Sequence, residues 1–357
     1  MKTFLFCVLL VGATSAQLVI PSLKDLDISN LGGLQILIKQ FGSETVLNKA
    51  ASQFLAKFKD SPFLRDRSST EILQNFIENA KQFLSQPAKD WQQALDIELL
   101  GLSAQQYESL LTLQTPSETE ESSSGSSLTS SRSKRQTTKL PSSIDWRTKG
   151  AVTGIKNQGQ CGSCWSFAGA GALEGRFAVK TGTLPVVSEQ NLIDCARNDT
   201  GSYVSYGCVG GWITDAYKYA QLNNGINSNA TYPYEAKNGD QCRYDSAKSV
   251  GISVGFVNVT QNDEDALMRA VAEGPVAAAV DATGMQSYRS GILKCYTQKP
   301  LNHGVVIVGY GSDWLFGDYW IVKNSWGASW GEKGFFRMTR NPKYACGLNL
   351  RANYPLV

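Results

Sequence analysis

The segment QGQCGSCWSFA, residues 158–168, decides the fold, because a cysteine-containing turn followed by small and apolar residues predicts a helix from Ser163 to about Val179. Cys164 lies at the start of that helix, where unpaired N–H groups and the positive end of the helix dipole favour a thiolate. The alternative interpretation is a buried, inert structural cysteine. Other residues of the chain are needed to distinguish a reactive thiol from an inert one.

The chain contains one histidine in 357 residues, His303, within LNHGVVI at residues 301–307. Taken alone, a single histidine beside an apolar strand is more often structural than functional. A thiolate nucleophile, however, needs an imidazole that pairs with it and later protonates a leaving amine. Histidine is the only residue type whose unperturbed pKa lies near neutrality, so His303, far downstream of Cys164, is the candidate partner.

Two side-chain amides complete the constellation. Asn324, within YWIVKNSWG at residues 319–327, can accept a hydrogen bond from the second ring nitrogen, and Trp326 beside it can shield that bond from water. Gln158 can point an amide donor at a developing oxyanion, with the backbone N–H of Cys164 as the second donor. The alternatives are a turn residue for Asn324 and a solvated loop residue for Gln158.

These motifs, in this order, resemble the papain family of cysteine proteases and, within it, the cathepsin L-like branch. The local signature of that family is Cys-Gly-Ser/Ala-Cys-Trp/Tyr, followed by a histidine and an asparagine about 130–150 residues later. The interval from Cys164 to Asn324 is slightly longer than this range, which a loop insertion around 312–317 would explain. The resemblance runs from about Leu140 to Val357 and includes IDWR at 144–147, CVGG at 208–211 and NSWGASWG at 324–331.

The resemblance implies an α+β, papain-like two-domain fold, with a helical left domain, a β-barrel-like right domain and a cleft between them. It assigns Cys164 as nucleophile, His303 as general acid and base, Asn324 as the orienting residue and Gln158 to the oxyanion hole. It implies a cysteine endopeptidase that forms an acyl-enzyme on protein and peptide substrates, without metal or cofactor. The alternatives are an exopeptidase, a catalytically silent binding protein of the same fold, or an inhibitor whose active part is residues 17–114.

The cysteine count fits a secreted protein with one cysteine left over, either as a free thiol or in an intermolecular bridge. Eight cysteines are present, and Cys7 falls within a signal peptide, so seven remain and one is left over after pairing. Parity does not identify the unpaired residue. The resemblance does, because it implies the pairs Cys161–Cys208, Cys195–Cys242 and Cys295–Cys346, which leave Cys164 unpaired.

The resemblance also implies residues that bind substrate. Gly210 and Gly211 would form the backbone rung that pairs with an extended peptide, since glycine permits close approach. Arg351 would lie at the far end of the S2 pocket, where it either attracts an acidic P2 side chain or turns its guanidinium into solvent. The remaining substrate-binding residues are Trp212, Ile213, Ala279, Leu301, Gly304 and Trp326.

The chain divides into four segments. Residues 1–16 read as a secretory signal peptide, and residues 17–114 read as a helical propeptide. Residues 115–137 form a Ser/Thr-rich linker that ends in a basic run, where we expect a convertase to cleave between Arg135 and Gln136; a solvated charge cluster is the alternative. Residues 138–357 form the catalytic domain. Within 17–114 only FIENAKQF at 76–83 clearly resembles the family's inhibitory propeptide, so its role as an intramolecular inhibitor rests mainly on position and helical character.

Charge and composition limit the partners. The net charge of +3 lacks the basic excess that nucleic acid binding requires, and no apolar run is long enough to span a bilayer. Sequons at Asn198, Asn229 and Asn258 suit a glycosylated surface. We therefore expect a monomeric protein of the secretory pathway, located in the lysosome or outside the cell.

Overall fold

The computed structural model describes residues 26–29, 31–85, 92–95, 97–114, 140–199, 201–295 and 300–357. The predicted signal peptide, the predicted linker and the processing site at Arg135–Gln136 lie outside these residues and stay predictions. In the part of the chain that is described, no helix is long and apolar enough to cross a membrane.

The N-terminal region is helical, as its apolar spacing predicts. In helix α3 the buried residues Ile72, Phe76, Ala80 and Phe83 recur every three or four positions and so form one face. The ring of Phe76 packs against that of Phe54 with centroids 4.5 Å apart. The elements are α1 (Leu31–Phe41), α2 (Ser43–Phe58), α3 (Ser69–Ser85), the short strand β1 (Gln92–Gln93), a 3-10 turn (Glu98–Gly101) and α4 (Ala104–Glu108).

The helix that begins at Cys164 is the centre of the second unit. It is buried along almost its whole length, because its glycines let neighbours approach closely; a Cβ on Gly169 would lie 2.3 Å from the Cβ of Ala216. The structure thus confirms the predicted helix and ends it slightly later than expected, at Thr181. The elements are β2 (Ile144–Asp145), α5 (Cys164–Thr181), α6 (Glu189–Cys195), α7 (Thr214–Leu222), β3 (Ile226–Asn227), β4 (Ser249–Gly251), β5 (Gly255–Asn258) and α8 (Glu264–Ala272).

A twisted sheet faces α5 and carries the predicted histidine and asparagine. Its strand order is β5-β12-β6-β9-β10-β11-β8, and β2 pairs with β9. His303 is the first residue of β9, and Asn324 directly follows β10, the antiparallel partner of β9. The strands are β6 (Val276–Val280), β7 (Tyr288–Ser290), β8 (Ile292–Leu293), β9 (His303–Asp313), β10 (Gly317–Lys323), β11 (Phe335–Thr339) and β12 (Ala352–Leu356).

The β9–β10 hairpin lies between Cys164 and Asn324, in the interval where the sequence predicts a loop insertion. The turn between the two strands, residues 314–316, falls within the predicted insertion at 312–317. Because the turn is at the far end of the hairpin from His303, added residues there do not disturb the position of Asn324.

Two hydrophobic cores hold the molecule together. One unites buried residues of the N-terminal helices, such as Phe54 and Phe76, with sheet residues such as Trp320 and Phe336. The other packs α5 against α7 and against Val306 and Val308 of β9. The N-terminal region is therefore packed onto the second unit as part of a shared core.

Candidate active site

The pair His303 and Asn324 forms the centre of the site. The Nε2–H of His303 donates to Oδ1 of Asn324 at 2.8 Å, and both side chains are buried. Nδ1 of His303 has no hydrogen-bond partner among the described residues. A neutral imidazole that donates through Nε2 has an acceptor at Nδ1, so this nitrogen is the one available for proton exchange.

Trp326 covers this hydrogen bond as the sequence predicts. Its ring lies 4.6 Å from the imidazole, centroid to centroid, at an interplanar angle of 31°, and is itself fully buried. Trp330 packs edge-on against Trp326 at 5.0 Å and fixes its position. The result is a dry environment in which the His303–Asn324 bond does not compete with water.

Cys164 is the first residue of α5 and is completely buried. Burial raises the pKa of its thiol to about 11, although backbone N–H groups of Gly304, Thr112 and Trp165 hydrogen-bond to the sulfur and oppose this effect. Burial also lowers the pKa of His303 to about 4, against the opposing effect of its hydrogen bond to Asn324. Burial of both groups thus opposes the ion pair that an open site would favour.

Gln158 joins the site through its side chain. Its Oε1 accepts a hydrogen bond from the hydroxyl of Ser325 at 2.7 Å, which turns Nε2 toward the opposite side. There Nε2 donates to the carbonyl oxygens of Cys161 at 3.0 Å and of Leu110 at 3.3 Å. Ser325 orients the Gln158 side chain, and the sequence analysis did not single it out, although it stands beside Asn324 in the NSWG motif.

The N-terminal region reaches into the cleft with residues 112–114. The backbone N–H of Thr112 is one of the groups that oppose the rise in the pKa of the Cys164 thiol, and the hydroxyl of Thr112 donates to the carbonyl of Gly162 at 2.9 Å. Leu113 forms a parallel bridge with Gly211, and its N–H donates to the carbonyl of Asn302 at 3.1 Å. These contacts were not predicted, because backbone pairing leaves no side-chain pattern in the sequence.

The predicted glycine rung is where this segment approaches most closely. Gly210 has a φ of +137°, and a Cβ there would lie 2.2 Å from the carbonyl oxygen of Thr112. The carbonyl of Gly211 accepts from the N–H of Gln114 at 3.0 Å. Both positions thus lie against an extended segment.

Four of the predicted S2 residues and Leu113 belong to one buried cluster. The Leu113 side chain, 7% exposed, shares this cluster with Trp212, Ile213, Ala279 and Leu301. Gly304 borders the nucleophile, since a Cβ there would lie 2.9 Å from the carbonyl oxygen of Cys164.

Arg351 and the predicted sequons lie outside this cluster. Arg351 is half-buried, and its carbonyl accepts from the N–H of Ala279 at 2.8 Å, which places its backbone beside a predicted pocket residue. Asn258 is exposed, whereas Asn198 and Asn229 are half-buried. Glycosylation at all three stays a prediction.

The disulfides are those that the resemblance implies. The structure contains Cys161–Cys208, Cys195–Cys242 and Cys295–Cys346. Among the cysteines of the described ranges, Cys164 alone is unpaired.

Comparison with known proteins identifies the class. The profile of the papain family cysteine proteases matches residues 140–356, and the chain therefore belongs to that family. It is 46% identical over 224 residues to cathepsin L1 of Drosophila melanogaster, a match that covers 61% of this chain and 59% of the fly protein. It is 46% identical over 228 residues to procathepsin L of Mus musculus, covering 61% of this chain and 66% of the mouse protein.

Solved structures extend the likeness to the N-terminal helices. The digestive procathepsin L 3 of Tenebrio molitor larval midgut superposes with a TM-score of 0.72 at 36% identity, covering 87% of this chain and 99% of that one. The recombinant stem bromelain precursor gives a TM-score of 0.68 at 30% identity, covering 86% and 99%. Both matches cover more than the family profile does, so the helical region before residue 140 shares the fold of these precursors. The expected papain-like fold with a preceding helical region is confirmed.

Proposed function

We propose that this chain is the zymogen of a cysteine endopeptidase that hydrolyses protein substrates. The observation that carries the proposal is the His303 Nε2–Asn324 Oδ1 hydrogen bond of 2.8 Å, which leaves Nδ1 unpartnered among the described residues of a site that also holds the unpaired Cys164. Gln158 supplies an amide donor to the same site. No cofactor is needed for this chemistry.

The reaction follows from these positions. The Cys164 thiol gives its proton to Nδ1 of His303, and the sulfur forms a bond to the substrate carbonyl carbon. The Nε2–H of Gln158 and the N–H of Cys164 donate to the resulting oxyanion. His303 then protonates the leaving amine as the C–N bond breaks, which leaves an acyl-enzyme. Water, deprotonated by His303, cleaves the thioester, releases the acid and returns the thiol.

A peptide blocked at both ends tests this function. We expect the enzyme freed of residues 1–135 to cleave internally quenched peptides with acetylated N-termini and amidated C-termini. Cleavage of peptides with free ends only would instead support an exopeptidase. If neither kind of peptide is cleaved, the chain is the silent binding protein of the same fold.

The N-terminal region acts as an intramolecular inhibitor in this proposal. It presents the N–H of Thr112 to the sulfur instead of an electrophilic carbonyl carbon, while Leu113 occupies the apolar cluster that would take a substrate side chain. The carbonyl of Leu110 takes the Gln158 donor. The similarity of the whole region to the procathepsin and bromelain precursors supports this role.

Maturation and location belong to the same proposal. The protein is proposed to be a monomer that passes through the secretory pathway to a lysosome or to the outside of the cell. It would lose a signal peptide at 1–16, carry glycans at the three sequons and be cleaved after Arg135 by a convertase. Its further segments are the propeptide at 17–114, the linker at 115–137 and the catalytic domain at 138–357. We expect N-terminal sequencing to show that the active form begins at Gln136. A start several residues to either side would instead indicate a different processing site.

Acid is expected to weaken the inhibitor through Glu71. Hydrogen bonds from Gln106, at 2.6 Å, and from Arg67, at 2.8 Å, hold the pKa of this carboxyl below 4.5. Arg67 also hydrogen-bonds to Gln160, next to the oxyanion segment. Because the pKa is lowered in the covered chain, the stabilisation is present above about pH 4.5 and is lost as the pH falls below it.

The variant Glu71→Gln is therefore expected to lose latency at a higher pH than the wild type, measured as activity released during incubation across pH 4–7. Glu98→Gln is the matched control. Burial raises the pKa of Glu98, whose carboxyl group accepts a hydrogen bond from Asn157 at 3.2 Å. The covered chain therefore favours the protonated form of Glu98, so acid does not weaken the inhibitor through this group. An equal shift for both variants would contradict the assignment to Glu71.

Arg351 is proposed to favour an acidic P2 side chain. A library of fluorogenic peptides with varied P2 residues is expected to show a higher Glu-to-Leu ratio of kcat/KM for the wild type than for Arg351→Ala, by about 10-fold if the contact is charge-assisted. An unchanged ratio would mean that the guanidinium points to solvent and that its stem only narrows the pocket.

A further inference from the structure

Tyr234 connects the two backbone segments that carry the oxyanion donors. Its hydroxyl donates to the carbonyl oxygen of Gln158 at 2.6 Å and lies 2.8 Å from the hydroxyl of Ser163. A phenol has one proton, so the Ser163 hydroxyl is the donor in the second bond. The ring of Tyr234 packs edge-on against Phe167 of α5 at 4.9 Å, which holds the hydroxyl in place.

The first segment that Tyr234 holds is the start of α5. Ser163 is the N-cap residue of this helix, a position at which a serine hydroxyl ordinarily accepts from a helix N–H. Here it makes no such cap. Its hydroxyl is directed to Tyr234, so Tyr234 fixes the residue whose neighbour, Cys164, supplies the backbone donor.

The second segment is the turn that contains Gln158. Its N–H donates to the carbonyl of Ser325 at 2.8 Å, and its Oε1 accepts from the Ser325 hydroxyl at 2.7 Å. These bonds orient Gln158 relative to Asn324 and Trp326. Tyr234 bonds both to the Gln158 carbonyl and to the Ser163 hydroxyl, and so adds a direct link between Gln158 and the N-cap of the nucleophile's helix.

We propose that Tyr234 is a positioning residue that sets the separation between the Gln158 amide and the Cys164 N–H, and so the fit of the oxyanion hole to the transition state. This inference rests on the proposed function. An oxyanion hole acts only when both donors meet the same oxygen, and removal of one donor in such a hole costs about 10²–10³-fold in kcat. A donor that is present but displaced is expected to cost less, about 10-fold.

The variant Tyr234→Phe tests the inference, because it removes the hydroxyl and keeps the ring that packs on Phe167. In the processed enzyme we expect kcat to fall about 10-fold while KM changes less than about 3-fold. Alkylation of Cys164 by an epoxide is expected to change less than about 3-fold, since this reaction forms no oxyanion on a carbonyl. If Tyr234 has only a structural role, the variant should instead lose active-site content and thermal stability, without a larger effect on kcat than on KM.

Tyr232→Phe is the matched control. Tyr232 is buried, whereas Tyr234 is half-buried, and the hydroxyl of Tyr232 donates to Asp194 at 2.7 Å, which is not one of the site residues described above. We expect this variant to keep the kcat of the wild type. Combining Tyr234→Phe with Gln158→Ala should lower kcat no further than Gln158→Ala alone, because the displaced donor is then absent.

The inference would be overturned by equal losses in the two tyrosine variants, by an effect on KM alone, or by full additivity with Gln158→Ala. An active wild type with an unaffected Tyr234→Phe variant would refute this inference and leave the proposed function intact. A wild type that neither cleaves peptides nor takes up the epoxide would refute both.

Discussion

The variant His303→Ala is expected to lose peptide turnover by at least ~10⁴-fold, with no other side chain able to take over. The chain contains no second histidine, and both the acceptance of the Cys164 proton and the protonation of the leaving amine depend on this ring. The measurement is kcat/KM of the processed enzyme. Cys164→Ala should lose as much, and the double variant should lose no more than either single one, because the two residues act as a unit.

A single histidine also gives a clean spectroscopic readout. Burial lowers the pKa of His303 to about 4 in the covered chain, so its one set of imidazole NMR signals should titrate near that value before processing. After removal of the N-terminal region, exposure and an adjacent thiolate should move the titration upward. Near-normal turnover by His303→Ala, or a titration that processing leaves unchanged, would return His303 to a structural role.

The variant Leu113→Asp is expected to raise the activity of the unprocessed chain by at least ~10²-fold. Leu113 is 7% exposed and belongs to an apolar cluster with Trp212, Ile213 and Leu301. An unpaired carboxylate in that environment costs several kcal/mol, which should dislodge residues 112–114 from the cleft. The measurement is hydrolysis of a small fluorogenic peptide by a chain in which Arg135→Ser, together with replacement of the preceding basic residues, prevents cleavage.

Gln105→Asp is the control for this experiment, because it places the same charge on the same N-terminal region at an exposed position. The unprocessed Gln105→Asp chain should hydrolyse the fluorogenic peptide no faster than the unprocessed parent chain. If Leu113→Asp also stays silent, or if the parent chain is already fully active, residues 112–114 do not block the site.

Two of the candidate reacting groups, Cys164 and Asn324, are marked locally in the sequence. Cys164 follows a turn motif at the start of a helix, and Asn324 stands in a distinctive block beside Trp326. The structure brings both into one site with His303, at the expected ends of α5, β10 and β9. The three disulfides of the structure are the pairs that the family resemblance implies.

What the sequence did not predict depends on contacts between distant backbone atoms. Tyr234 acts on the carbonyl of Gln158, a residue far from it in the chain, and such a bond leaves no spacing pattern. Thr112 and Leu113 pair with the cleft through N–H and C=O groups that every residue of their kind carries. The raised pKa of the Cys164 thiol was not predicted either, because it results from burial beneath a segment whose position only the fold reveals.

The most direct test of the account is active-site titration with a radiolabelled or mass-tagged epoxide, before and after removal of residues 1–135. The account predicts almost no label on the intact chain, and one label per chain after processing, located on Cys164 by peptide mapping. It also predicts that His303→Ala greatly slows this labelling. Label that reaches the intact and processed chains equally, or a processed chain that takes up none, would contradict it.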